Sequence, residues 1–470
     1  MKFIILMTLV FLFPFMLTAQ ATWSLDRCID HALSHNLSIQ QQKNLQEQAQ
    51  NNLSQSYVAL FPNLQAISNQ GFNYGRTIDR FTNEFATERV AYQDMYATSD
   101  VTLFAGFQQI NNIRMHLARH TAFRHDTEKM QNDIVLLIAS AYLQILYFQD
   151  MVEVAEQQLD VSRQQVERTR ILLEGGTVAR GALLEMEAQA AQEELNLLNA
   201  QNNLTLSYLE LIHLLDLNPD DPFEIERPEL AIDEAFVLYE PETVLERALN
   251  QEPSVQAARS RIEVAEKTLA ITRGERSPRL SFATFVGTGY SGAARRAVGQ
   301  EATGQFTEIG RTASNEAVLR EVFNPIIEDI PYRDQISDNF NRVIQLRLQV
   351  PIFNRNQTRT RVQNARLDLE TARLGYELSR NNLSKTVQQA HADALAAYQK
   401  YLATLKSQEA FEESYLYAEQ RFNLGMISSI EYNEARTRLN RSEAEALQSK
   451  YEFIFKTKIL EFYQGYGFVL

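Results

Sequence analysis

The amino-acid sequence predicts an α+β fold written twice along the chain. Each copy reads helix, β-hairpin, long helix, tip and returning helix. Three observations predict it. Residues of the first half recur in the second at fixed offsets, two proline-free stretches carry a stripe in steps of three and four, and alternating segments precede each stretch.

The first helix of each copy opens alike, at Leu25 to Leu33 and at Glu242 to Leu249. Ala32-Leu33 matches Ala248-Leu249 at an offset of 216, as Pro62 matches Pro278. Further on the offset is 249, where Leu103-Phe104 matches Ile352-Phe353 and Gly176 matches Gly425. The change places 33 added residues between Pro278 and Phe353. From Phe104 to Gly176 the length is conserved between the copies, as expected of packed helices and not of loops, which tolerate insertion.

In that stretch Ile145, Phe148, Val152, Ala155, Leu159, Ser162, Val166, Thr169 and Leu173 alternate steps of three and four. Their counterparts run from Ala394 to Phe422, and the pattern marks one stripe of a helix packed in coiled-coil fashion. Without proline to break it, such a helix reaches roughly 100 Å at 1.5 Å per residue. Each ends at a glycine turn, Glu174-Gly175-Gly176-Thr177 or Leu424-Gly425-Met426, and a second helical pattern follows to about Asp216 or Tyr463.

Between the short and long helices the period falls to two. Ile344, Leu346, Leu348 and Val350 alternate with Val343, Gln345, Arg347 and Gln349, which predicts a strand apolar on one face. Leu280, Phe282, Thr284 and Val286 form its partner, and Leu64 to Tyr74 with Tyr92 to Phe104 form a weaker pair. The insertion, roughly Ser291 to Asp338, reads as an exposed loop rich in Gly, Ala, Arg and Asp. The predicted organisation is therefore a first repeat at 20–216 (strands 64–104, helical hairpin 106–216), a linker at 217–241, and a second repeat at 242–470 (strands 279–353, helical hairpin 355–463).

Residues 1–19 read as a secretory signal peptide: Lys2, an apolar run from Phe3 to Met16, and a small residue at Ala19. The run is shorter than the ~20 residues a membrane span needs. With 59 acidic against 45 basic residues and a net charge of −14, the chain lacks the basic surface of a general nucleic-acid binder. Its one cysteine, Cys28, excludes an internal disulfide framework. Four strands cannot close a barrel, and lipid does not tolerate an open sheet edge. Three chains would supply twelve strands, within the range of outer-membrane barrels. A soluble four-stranded sheet with long helices satisfies the same pattern.

With a leader, a duplicated plan and the spacing Gly-x9-(Ala/Met) after each tip, the chain resembles the TolC-type outer-membrane efflux proteins. The resemblance rests on Leu25 to Leu33, Gly176-Thr177-Val178-Ala179-Arg180 and Gly425 to Ala435, and covers the whole chain after the leader. It implies a homotrimer with a twelve-stranded β-barrel in the outer membrane of a Gram-negative bacterium, continued by a periplasmic α-helical barrel. It also implies passive export without a cofactor, in contact with outer-membrane lipid and serving an inner-membrane pump through a periplasmic adaptor. The adaptor would meet the tips, Gly175, Gly176, Thr177, Val178, Ala179 and Arg180 with Gly425, Met426, Ile427, Ser428 and Ser429. The linker would pack as a belt midway along the tunnel.

Glu431 and Glu434, three residues apart on one helix face, occupy positions where the family often has acids at its periplasmic entrance. The first copy has Ala182 and Glu185 there, so Glu185 is its one candidate acid. Threefold symmetry would make rings of carboxylates, which favour cations. Gln345, Arg347 and Gln349 are candidates for the barrel lumen. An exit duct for small molecules and one for a type I protein secretion system fit these residues equally, and a soluble exported coiled-coil scaffold is the third reading.

Other motifs point to chemistry less well. Gly287-Thr288-Gly289-Tyr290-Ser291-Gly292 matches the dinucleotide fingerprint and follows a strand, but no helix follows it. His31 and His35, and His116 and His120, have i,i+4 spacing without a third ligand, which suits exposed helix positions better than a metal. No catalytic triad is apparent, and the chain does not read as an enzyme.

Overall fold

The computed structural model describes residues 22–87, 89–228, 230 and 240–468. The expected leader, 1–19, residues 229 and 231–239 of the expected linker, and 469–470 of the expected second repeat lie outside them. The first copy runs α1 (Leu25–His35), α2 (Leu37–Val58), β1 (Gln65–Asn73), β2 (Thr77–Ile78), β3 (Phe85–Ala86), β4 (Val90–Ala105), α3 (Gln108–Glu174) and α4 (Arg180–Leu214). The second runs α5 (Pro241–Gln251), α6 (Pro253–Gly274), β5 (Arg279–Ser291), β6 (Arg295–Arg311), β7 (Ala317–Asp329), α7 (Tyr332–Asp338), β8 (Asn341–Gln349), α8 (Gln357–Asn423) and α9 (Ser429–Tyr463). The paired helices have equal lengths: 11 residues for α1 and α5, 22 for α2 and α6, 67 for α3 and α8, 35 for α4 and α9.

The chain divides into two compact units. The helical unit comprises residues up to 50, 118–262 and from 370 onward. Its core follows the duplication residue by residue. In the first copy Cys28, Ala32 and Ile39 pack with Ile134, Ile138, Ala141, Ile145 and Leu211. In the second, Val244, Ala248 and Val255 pack with Leu383, Val387, Ala390, Ala394 and Leu460. Every one of these pairs stands at the offset of 216 or 249. The seam from Ile145 to Leu173 is buried or half-buried throughout, as is its counterpart from Ala394 to Phe422. Burial pushes the Cys28 thiol up to about 12, so this cysteine is a core side chain and not a reactive one.

The break between α1 and α2 is made by Asn36. Its backbone N–H caps α1 on Ala32 O at 2.9 Å, while its side-chain oxygen accepts from the N–H groups of Ser38 and Ile39 at the start of α2. In the second copy Pro253, whose missing N–H costs nothing in a first turn, starts α6 at the equivalent place. The described linker residues add a parallel bridge between Trp23 and Ile225. The Tyr142 hydroxyl donates to Glu226 O at 2.6 Å, and Arg227 pairs with Asp150 and Glu153. This part of the linker is thereby tied to the middle of α3.

The second unit comprises 51–117 and 263–369. Its four-stranded antiparallel sheet has the order β1-β4-β5-β8. Register places Asn69 opposite Asp94, Asp94 opposite Gly289, Ser281 opposite Arg347 and Ala283 opposite Gln345. Residues opposite one another share a face, so Gln345, Arg347 and Gln349 stand with Asn69, Asp94, Thr98 and Asp100 on a mostly polar one. The other face carries Met95, Ala97, Leu280, Phe282, Val286, Ile344, Leu346 and Leu348. Both edge strands, β1 and β8, are exposed almost from end to end.

The segment expected as an exposed loop is not one. Residues 295–329 form an antiparallel β6–β7 hairpin, and α7 follows it before β8. Irregularities fall between Ala297 and Gly299, Ala302 and Phe306, and Glu308 and Gly310. Three interruptions in one strand of 17 residues erase the period of two by which a strand is read from sequence.

Candidate functional site

Both helical tips are the same hydrogen-bonded turn. After α3, Gly176 N–H donates to Leu173 O and Thr177 N–H to Leu172 O, each at 2.9 Å. After α8, Gly425 N–H donates to Phe422 O at 2.9 Å and Met426 N–H to Arg421 O at 2.8 Å. This is a Schellman closure, and it requires a left-handed residue, here Gly176 at φ +73° and Gly425 at φ +71°. The helices that leave the tips start differently. Ser428 caps α9 by accepting from Glu431 N–H at 3.3 Å, whereas Ala179 stands at the same position before α4 and has no side chain to do so.

The tips expose apolar side chains as well as glycines. Leu424 is 75% and Met426 66% exposed, with Ile430, Ile171 and Leu184 also open. From sequence the tips read as small residues with a few apolar ones. The flanking leucines and isoleucines were hidden because they continue an ordinary helical pattern.

The three candidate acids are engaged separately. Glu431 completes the cap at Ser428, with its Oε1 3.3 Å from the serine hydroxyl. Glu434 pairs with Arg438 at 3.7 Å, both well exposed. Glu185 accepts the Ser429 hydroxyl, which fastens the start of α9 to α4. Glu185 and Glu434 then share an open groove of about 680 Å³ between α4 and α9, lined also by Gln189, Gln192, Ile430 and Arg438. Glu431 stands outside that lining.

Sequence reasoning missed a polar cluster farther along the hairpins. Arg436 of α9 is only 4% exposed and donates to the backbone carbonyl of Gln158 in α3 at 2.5 Å. The Gln158 amide donates to Glu443 at 3.0 Å. Burial holds the Glu443 carboxyl above its usual range, helped by nearby Glu412 and opposed by the Gln158 hydrogen bond and Arg436. Beside it the Tyr415 and Tyr432 hydroxyls are 3.0 Å apart. Arg436 and Glu443 lie seven residues apart on one helix face, the single sequence signal that relates them, and such spacing on α9 reads as a solvated stripe.

In the strand unit Gln345, Arg347 and Gln349 are exposed. Arg279, opposite Gln349, donates to Thr102 at 3.0 Å. Of the candidates, then, the tip residues fall into two matching turns, Glu185 and Glu434 are brought together in a groove, and the three β8 residues share a sheet face. Among the described residues no group of His, Cys, Asp and Glu is arranged to hold a metal ion.

A family model described as outer membrane efflux protein matches residues 28–216 and 244–454. No curated protein matches the chain by sequence. Several solved structures match its fold over nearly its whole length. A membrane protein from Pseudomonas aeruginosa has 15% identity and a TM-score of 0.74, covering 94% of this chain and 90% of its own. The outer membrane protein VceC of Vibrio cholerae has 17% identity and a TM-score of 0.72, covering 95% and 97%. The MtrE outer membrane channel of Neisseria gonorrhoeae, solved in an open state, has 16% identity and a TM-score of 0.72, covering 94% and 88%. At these identities the likeness is one of fold.

Proposed function

Because the chain belongs to the outer membrane efflux protein family, we propose that it is the exit duct of an efflux assembly, with three copies closing one barrel. The family places it in the outer membrane as a channel protein and not an enzyme. One observation carries the trimeric reading. A four-stranded sheet with a polar face, an apolar face and two unpaired exposed edges is unfinished as it stands. Lipid offers no partner for free backbone groups, so β8 of one copy pairs with β1 of the next until the ring closes. Ile344, Leu346 and Leu348, all exposed, then meet acyl chains, and Gln345, Arg347 and Gln349 line the water-filled lumen.

In this reading an inner-membrane pump supplies the energy and the duct conducts passively. The exposed apolar side chains beside Gly176 and Gly425 give a periplasmic adaptor something to bury, while the Schellman turns present them in fixed geometry. Glu431, Glu434 and Glu185 stand near the same ends of α9 and α4, where threefold repetition sets rings of carboxylate around the entrance. Single-channel conductance across a planar bilayer tests the proposal. Wild type is expected to give discrete, cation-preferring steps. Glu431→Gln with Glu434→Gln, which removes charge while leaving an oxygen for the Ser428 cap, is expected to reduce that preference. Unaltered selectivity would remove these glutamates from the entrance; natively folded protein that forms no channels would refute the duct.

A further inference from the structure

The glycine-rich run Gly287 to Gly292 has no part in the reading above, and the fold gives it one. Gly287, Gly289 and Ser291 lie on the polar face of β5, and the loop that follows β1 bends back over that face. A Cβ placed on Gly289 would stand 2.0 Å from Phe81 Cζ and 2.4 Å from its Cε1. The Phe81 ring therefore occupies space that only a glycine leaves open. Asp79, 3% exposed, holds the loop in two directions. Its Oδ1 accepts from the backbone N–H groups of Phe81 at 3.0 Å and Thr82 at 2.9 Å, an Asx turn that shapes the loop. Its Oδ2 accepts the Ser291 hydroxyl, which fixes the loop to the strand. The short β2–β3 ladder closes the loop's base, and Asp79 N–H donates to Glu84 O at 2.9 Å.

The corresponding connection in the second copy goes the other way. Thr288 and Gln93, on the opposite face of the sheet, hold α7 through Ile336 O at 2.7 Å and the Tyr332 hydroxyl at 3.0 Å. Among the described residues the polar face thus carries the first loop, and of the second connection only Asn339, after α7, reaches the space beside it, donating to Gly289 O at 2.7 Å. There Ile78, Asp79, Arg80 and Phe81 face Asp94 and Asn341 across a cavity of about 1260 Å³.

We infer that residues 77–86 form a size-limiting constriction at the outer end of the lumen, seated by Phe81 on Gly289 and latched by Asp79 to Ser291. The inference rests on the duct reading, which makes the polar face the lumen wall and the strand-connecting loops the outer mouth. The motif that matches a nucleotide fingerprint is, on this account, a socket: glycine where the ring sits and serine where the carboxylate ties down. In a trimer three such loops narrow the mouth, one from each copy.

The test is polymer exclusion in planar bilayers, with polyethylene glycols of graded length added to the outer or the inner side of single channels. From the outer side, Phe81→Ala and Asp79→Ala are expected to admit longer polymers than wild type, read as a shift of the cut-off length. Asp79→Asn keeps an acceptor oxygen for the turn but presents an N–H donor toward Ser291 in place of Oδ2, and is expected to shift the cut-off less than Asp79→Ala. The inner-side cut-off, set by the helical entrance, is expected to stay put in all of them. Channels whose outer cut-off is the same in wild type and both alanine variants would overturn the constriction and leave the duct standing. A shift with Phe81→Ala alone would overturn the latch and keep the seat. If wild type forms no channels, the duct reading itself fails and takes the constriction with it.

Discussion

Gly425 offers the cleanest separation of turn geometry from partner contact at the tips. Its φ of +71° lies where an L side chain is strained, yet nothing stands within 4 Å of an added Cβ. The cost of Gly425→Ala is therefore backbone strain alone, about 1–2 kcal/mol for a left-handed residue bearing a Cβ. That strain acts on the two bonds closing the turn, Gly425 N–H to Phe422 O and Met426 N–H to Arg421 O. If the turn opens locally, a loss of that size raises its open population roughly 5–30-fold. Hydrogen–deuterium exchange of the peptide spanning the α8–α9 tip reads this directly: in the variant, the amides at positions 425 and 426 are expected to exchange faster by that factor. Gly425→Asn, which tolerates the left-handed region, is expected to recover most of the protection. Exchange unchanged in the alanine variant, or an asparagine as damaging as alanine, would refute the assignment of the turn. A variant that keeps protection but loses affinity for an adaptor would instead assign the position to contact.

Ala179→Ser gives α4 the cap that Ser428 gives α9 and is expected to stabilise its first turn by about 0.5–2 kcal/mol, visible as slower exchange of the amides at 181 and 182. Glu443 should make stability depend on pH. Its folded carboxyl titrates above the unfolded one, so its stabilising contribution is present below the unfolded value and lost as pH rises through the folded one. Thermal unfolding of detergent-solubilised protein across that window should show a shallower decline for Glu443→Gln; half-buried Glu252, shifted in the same sense, contributes to the slope that remains.

Much of the helical unit was legible because a duplicated sequence is an alignment with itself. Matching residues at two constant offsets locate the packed elements, and a three–four stripe names the face they bury. Cys28 with Val244 and Ile145 with Ala394 show how far this goes: different side chains fill the same core position. The strand unit was less legible for two physical reasons. The β6–β7 hairpin breaks its own alternation with register irregularities, and both its faces are largely exposed, so no buried face imposes a period. The Phe81 seat and the Asp79 latch join residues about 210 positions apart, and only pairing between β4 and β5 brings them together. Nor does spacing along one helix reveal Arg436 against Gln158, because the bond reaches a backbone carbonyl that every residue possesses.

The departures from perfect duplication bear on what a partner would meet. Three copies of a twice-repeated chain would present six helical hairpins of nearly equal geometry. With the halves identical, an adaptor would find six equivalent seats. The tips instead differ in their caps, Ala179 against Ser428, and in exposed side chains, Thr177 against Met426. The Ser429 hydroxyl also reaches across to Glu185, so the two hairpins of one chain contribute unlike groups to the groove between α4 and α9. The same division holds at the sheet, where the first connection folds onto the polar face and the second onto the apolar one. Differences of this kind cost the common scaffold little, because they sit in turns and on surfaces while the core pairs keep their register. In a trimer they would lower a sixfold surface to a threefold one, so a partner contacting both tips of a chain would have one preferred way round.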